Sequence, residues 1–275
     1  MTVPGTGTGE ADEPVAPRDD DVHGRVVIVT GASRGIGRGL AIGLAAAGAS
    51  VVCAARSVEE DPFGLPGTIH ATVDAIRSAG GEALPVQCDI GVADDITRLV
   101  AETVDAYGRL DVLVNNAMAP TRGLFSETTP DAWDESMRVN VRSLFLTARA
   151  VVPVMAEQGG GSIINMSSGA AEIGVQGMPP GYLVYSVAKA ALERFSAALA
   201  VEVADLGIAV NALRPGAVKT EHTVHELGED FDWTGWTTPE AVVPSVRYLA
   251  TQRGDGLTGR VVDSTQFGIT WPPQP

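Results

Sequence analysis

Lysine is nearly missing from this chain: two lysines stand against seventeen arginines in 275 residues. Cysteine is as sparse, with Cys53 and Cys88 alone. Two thiols give no disulfide framework and suit a reducing compartment. Both sit in apolar stretches that read as strands, so buried free thiols are expected. The chain has no lysine–arginine cluster, and its formal net charge is −15 with a pI near 4.6. Nucleic acid and anionic membrane surfaces are therefore excluded as partners. No apolar block precedes Arg18, the first basic residue, so no secretory leader is read. A continuous membrane-length run is lacking too. Gly39 to Ala55 is uncharged, but Gly43, Gly48 and Ser50 break it into a helix, a turn and a strand. A soluble, cytoplasmic protein is the expectation.

What is present is an alternation. Short β-branched runs fall at 26–30, 50–54, 84–87, 111–115, 162–166, 208–213 and 258–263. Helical patterns fill about 35–47, 67–79, 93–106, 131–157, 184–205 and 239–251. Continuous apolar strands separated by helices predict a parallel sheet covered on both faces. Residues 1–21 carry Gly, Thr, Pro and Asp with little to bury and are read as a disordered tail. The remainder, 22–275, is read as one domain. Two connections break the rhythm: 57–66, and 217–238 with Phe231, Trp233 and Trp236. The aromatic trio reads either as packing of a small helix or as a lid over an apolar pocket.

After the first strand comes Thr30-Gly31-Ala32-Ser33-Arg34-Gly35-Ile36-Gly37, running straight into a helix. Glycine permits the turn at 31, backbone approach to a phosphate at 35, and close helix–strand packing at 37. The helix start then offers free N–H groups to a pyrophosphate. Strand before and helix after supply the context that a bare glycine triplet lacks.

One of the two lysines, Lys189, lies four residues after Tyr185. On a helix that spacing puts an ammonium near a phenol. A cation favours the ionised phenol, which suits a proton-transfer role.

The G-x-x-x-G-x-G spacing and Tyr185-x-x-x-Lys189 together closely resemble the short-chain dehydrogenase/reductase family. The resemblance continues through Cys88-Asp89-Ile90, Asn115-Asn116-Ala117, Asn140, Asn165-Met166-Ser167-Ser168 and Arg214-Pro215-Gly216-Ala217-Val218-Lys219-Thr220. It covers about residues 22–265 and implies an α/β fold: a Rossmann-type, doubly wound, seven-stranded parallel sheet with helices on both faces. It also implies a dimer or tetramer built through the long helices. The implied activity is oxidoreduction between a ketone or aldehyde and an alcohol.

The resemblance makes Tyr185 the general acid/base, Lys189 its partner and the holder of the nicotinamide ribose, Ser168 the donor to the developing oxyanion, and Asn140 the holder of a relay water. Asp89 is placed near the adenine with Ile90 beside it, and Asn115 and Ala117 along the adenosine side. Pro215, Gly216, Val218 and Thr220 are placed at the nicotinamide. Gly31, Ser33, Arg34, Gly35, Ile36 and Gly37 form the phosphate cradle.

The second strand ends Ala54-Ala55-Arg56, with Ala55 where NAD-using members usually carry Asp. Arg56 and Arg34, without an acid, favour the 2′-phosphate of NADP(H). An NAD-dependent alcohol dehydrogenase and a non-catalytic dinucleotide sensor are the alternatives. Met118 departs from the family glycine that follows Asn-Asn-Ala. Met178-Pro179-Pro180-Gly181 looks like an extra piece before the catalytic helix. His222 and His225, among acidic residues, read as a solvated loop, and no metal ligand set is assigned.

Overall fold

The computed structural model describes residues 21–59, 64–172, 174 and 179–272. Apart from Asp21, the expected N-terminal tail lies outside them, as does Met178.

Seven strands form one parallel sheet: β1 (Val26–Thr30), β2 (Ser50–Ala55), β3 (Glu82–Gln87), β4 (Val112–Asn115), β5 (Gly161–Met166), β6 (Ile208–Arg214) and β7 (Val261–Asp263). Their order is β3-β2-β1-β4-β5-β6-β7, each adjacent pair parallel. The helices are α1 (Gly35–Ala46), α2 (Ile69–Ser78), α3 (Ala93–Tyr107), α4 (Pro130–Met137), α5 (Ser143–Glu157), α6 (Leu183–Val203), α7 (Glu221–Leu227) and α8 (Val243–Ala250).

Strand alternation divides the core into two layers. Val27 and Val29 of β1 pack on the side of α1, α2 and α8 with Leu40, Val73 and Leu249. Ile28 faces the other side, with Leu99 of α3, Met155 of α5 and Val203 of α6. Ile164 and Ile163 of β5 divide the same way. A strand buried on both faces has no polar side to show, hence the unbroken apolar runs. Cys53 and Cys88 are free and buried, and burial pushes both thiols up to about 12.

The glycines that interrupt the apolar run of α1 have a packing reason. A Cβ on Gly39 would lie 2.5 Å from Pro239, and one on Gly43 2.6 Å from Val243. Spaced i,i+4, they form a flat face on which the turn Pro239–Val242 and the start of α8 rest.

Two predicted elements differ. The long helix read over 131–157 is interrupted at Arg138–Arg142 by a π-helical turn. Polar side-chain bonds at Asn140, described below, hold the extra residue of that turn. The segment 217–238 is not one irregular loop. Thr220 caps α7 through a box with Thr223, and Val218 bridges Thr237, tying the segment at its base.

Candidate active site

Chain order reverses between β1 and β4, and a cleft of about 540 Å³ opens at the carboxyl ends of the strands there. This is where an open α/β sheet has free loop ends on both sides. Gly31, Ser33, Arg34, Gly35 and Ile36 form one end of its wall, with Arg56, Asp89, Ile90 and Ala117 alongside. Ser168, Tyr185, Pro215, Gly216, Val218 and Thr220 form the other. Gly37, Asn115, Asn140 and Lys189 lie behind that wall rather than on it.

The cradle is built by contact. Gly31 has φ +68°, and a Cβ there would meet the Ala117 Cα at 2.9 Å. A Cβ on Gly37 would lie 2.2 Å from the Gly31 carbonyl oxygen. Asn116 locks β4 to this turn: its Nδ2 donates to the Thr30 carbonyl at 2.9 Å, and its N–H to Thr30 Oγ1 at 3.0 Å. At the start of α1 the Gly35 N–H donates to a carboxylate oxygen of Glu221 at 2.9 Å. An anion therefore already sits where the cradle points.

Tyr185 and Lys189 share a face of α6. The Lys189 ammonium lies 5.6 Å from the centroid of the Tyr185 ring and donates to the Met166 carbonyl at 2.7 Å. Burial lowers the lysine from its ordinary 10.5 to about 8. Burial raises the Tyr185 phenol, opposed by its hydrogen bond with Ser168 and by the field of Arg122. Desolvation thus outweighs the Ser168 hydrogen bond and the Arg122 cation at this phenol. Ser168 begins the turn Gly169–Ala171, and its hydroxyl accepts from the Ala170 N–H at 3.2 Å.

Asn140 spends its whole amide on structure. Its Oδ1 accepts from the Ala119 N–H at 3.0 Å, while its Nδ2 donates to the Ala119 carbonyl at 3.0 Å and to Ser136 Oγ at 3.1 Å. Asn115 likewise points into the core, donating to Asn165 Oδ1 at 2.8 Å, and the wall at that level is Asn116 and Ala117. Met118 fits without a left-handed backbone, since no described non-glycine residue has positive φ.

A family model for short chain dehydrogenases matches residues 25–229. The chain belongs to the short-chain dehydrogenase/reductase family. It is 42% identical over 199 residues to an uncharacterised oxidoreductase of Thermotoga maritima, covering 72% of this chain and 74% of that protein. It is 36% identical over 233 residues to a 3-oxoacyl-[acyl-carrier-protein] reductase of Synechocystis sp., covering 82% and 89%. Among solved structures, a dehydrogenase/reductase from Sinorhizobium meliloti superposes with a TM-score of 0.75 at 32% identity, covering 89% of this chain and 94% of that one. This chain is accordingly an oxidoreductase of a family that uses nicotinamide cofactors. The site fits such a group: glycines with no room for a Cβ, an N–H already paired with an anion, and two arginines at the end of β2 and in the cradle.

The short-chain dehydrogenase motifs do not account for everything around the cleft. Arg122, paired with Glu226 at 2.9 Å, stacks 4.1 Å over the Tyr182 ring, and that ring lies edge-on to Tyr185 at 6.2 Å. Behind Ser168, the Ser167 hydroxyl donates to Glu193 Oε1 at 2.7 Å. Arg214 clasps the same carboxylate at 2.8 and 3.0 Å. Apart from the Tyr182–Tyr185 contact, these partners are 21 to 104 residues apart in sequence, and no local spacing signals them.

The segment 217–238 also places residues left ambiguous by the sequence. Phe231, Trp233 and Trp236 pack edge-to-face on one another at 5.0 to 5.7 Å. Trp236 lines the cleft. The Lys219 ammonium lies 4.8 Å over the Trp233 ring. His222 belongs to α7 and also lines the cleft, whereas His225 is exposed.

Proposed function

We propose that this chain is an NADP(H)-dependent oxidoreductase that interconverts a ketone or aldehyde with the corresponding alcohol. The observation that carries the reading is one cleft holding the glycine cradle at one end and the Ser168–Tyr185 pair, backed by Lys189, at the other. Gly31, Gly35 and Ile36 would hold the pyrophosphate. Asp89 and Ile90 would flank the adenine. Pro215, Gly216, Val218 and Thr220 would hold the nicotinamide, and Lys189 its ribose. Ala55 offers no acid at the end of β2, so nothing there would repel a 2′-phosphate. Arg56 lies exposed on the cleft wall, and Ser33 lines the same cleft. Arg34 gives Nε and one terminal nitrogen to the Pro66 and Gly67 carbonyls, each at 3.0 Å. Arg56 is therefore the main candidate for the phosphate.

When bound, the nicotinamide supplies or accepts a hydride at the substrate carbon. The protein's own share is the proton and the charge. Tyr185, kept as a phenol by burial, donates its proton to the carbonyl oxygen as negative charge develops there. Ser168 donates a hydrogen bond to the same oxygen. The Lys189 ammonium favours the phenolate left behind, easing the transfer. A phenol held protonated suits reduction. Because the Asn140 amide is consumed, any relay water there would rest on the backbone carbonyls of the π turn, which lack regular α-helical partners. Arg122, Tyr182 and Trp236 make the substrate wall large and partly aromatic. A homo-oligomer in the cytoplasm completes the reading.

The test is consumption of NADPH and NADH across ketones, aldehydes and quinones, with Arg56→Ala and Tyr185→Phe beside the parent. Arg56→Ala should weaken NADPH by about 10- to 100-fold, the scale of one or two charge-assisted hydrogen bonds, and leave NADH unchanged. Tyr185→Phe should bind NADPH normally and lose about 100-fold or more in kcat. Equal affinity of the parent for both dinucleotides refutes the cofactor choice. Undiminished turnover by Tyr185→Phe refutes the mechanism.

A further inference from the structure

The Glu221 carboxylate is an unusual neighbour for a phosphate cradle. It accepts the Gly35 N–H, the first donor of α1, at 2.9 Å. The α1 start has no side-chain cap on Arg34 and no acidic residue in its first turn, so its partial positive charge has no other local carboxylate. Glu221 is itself fixed, being the first residue of α7 immediately after the Thr220–Thr223 capping box. Thr220 presses on the same spot: a Cβ built on Gly35 would lie 3.4 Å from its side chain and 3.8 Å from the Glu221 oxygen. The far end of α7 is tied across the cleft, with Glu226 paired to Arg122 at 2.9 Å.

We propose that Glu221 is a built-in competitor for the cofactor's phosphate, and that its carboxylate sets dinucleotide affinity by occupying the pyrophosphate seat. One N–H cannot serve both a carboxylate and a phosphate oxygen. A carboxylate left beside a phosphate also repels it, the more strongly because a cleft screens less than open water. Dinucleotide entry therefore requires Glu221 to leave Gly35, and α7 is the element that moves with it. The effect is common to NADPH and NADH because the pyrophosphate is common to both. It rests on the cleft being the dinucleotide site and is independent of which dinucleotide the 2′ end prefers.

The experiment is fluorescence titration of NADPH and of NADH into the full chain and into Glu221→Gln, with inorganic pyrophosphate as a competing probe. Glutamine keeps the size and one acceptor oxygen but removes the charge. Glu221→Gln should tighten both dinucleotides about tenfold, the scale of one charge-assisted hydrogen bond, and pyrophosphate should displace them at correspondingly lower concentration. Hydrogen exchange supplies a second readout: saturating dinucleotide should change the protection of 221–227 in the parent and change it less in Glu221→Gln. Unchanged or weakened affinity for both dinucleotides in Glu221→Gln overturns the proposal, as does failure of either protein to bind any dinucleotide. A parent that prefers NADH, with both affinities still tightened by Glu221→Gln, overturns only the NADP reading.

Discussion

Replacing Lys189 with methionine should make the protein more stable while abolishing turnover. Lys189 is buried, and burial lowers it from 10.5 to about 8. At neutral pH it is charged in both folded and unfolded chains, but the folded chain holds that charge out of water. The gap between 10.5 and about 8 corresponds to about 3 kcal/mol at 1.36 kcal/mol per pKa step. Methionine removes the charge and nearly matches the stem. Its loss is the hydrogen bond to the Met166 carbonyl, at about 1 kcal/mol. The net gain is about 2 kcal/mol, or roughly 4–8 °C in Tm for a chain of this size.

The pH dependence gives the sharper test. The folded pKa of Lys189 is depressed, so between about 8 and 10.5 the unfolded chain binds the extra proton, and the parent gains stability as pH rises through that window. Lys189→Met has no such gain, and its advantage should shrink over the same window. The Cys53 and Cys88 thiols, raised to about 12, act in the opposite direction above pH 9, but both proteins share them and they cancel in the difference. Denaturant unfolding of parent and variant at pH 7, 8, 9 and 10 measures it. A variant that is less stable than the parent, or whose difference is flat with pH, refutes the claim that the ammonium is held there at a cost. Turnover of the parent should fall as pH rises through about 8, when the ammonium is lost.

Two further outcomes are expected. Gly37→Ala should abolish dinucleotide binding and destabilise by about 3 kcal/mol, because the new Cβ meets the Gly31 carbonyl oxygen at 2.2 Å and backbone cannot step aside; Gly169→Ala, with nothing within 4 Å, should bind as the parent does in the same titration. Glu193→Gln should lower unfolding free energy by about 2 kcal/mol by turning an amide toward the two Arg214 donors, with a fall in kcat as Ser167 and its neighbour Ser168 lose their support, checked by denaturant melts and steady-state kinetics.

Much of this protein is legible locally. Val26–Thr30 is a strand buried on both faces because its sequence has no polar side to expose. Gly31, Gly35 and Gly37 announce a turn where side chains cannot fit, and Tyr185 and Lys189 share a helix face through a period of 3.6. These depend on neighbours a few residues apart, which is the range over which spacing carries information. Asn140 reads from the sequence as the holder of a relay water; that its amide instead ties the π turn to Ala119, 21 residues away, is not legible there. The bonds of Glu221 to Gly35, across 186 residues, and of Glu193 to Arg214 depend on strand order and register. Only the folded sheet decides them: closing a loop over such distances is permitted for many pairings, and the one realised is selected by packing of the whole core rather than by either partner. The sequence by itself determined which chemistry the chain carries. The tertiary structure alone decided which charges face that chemistry, and that a carboxylate rests in the cradle.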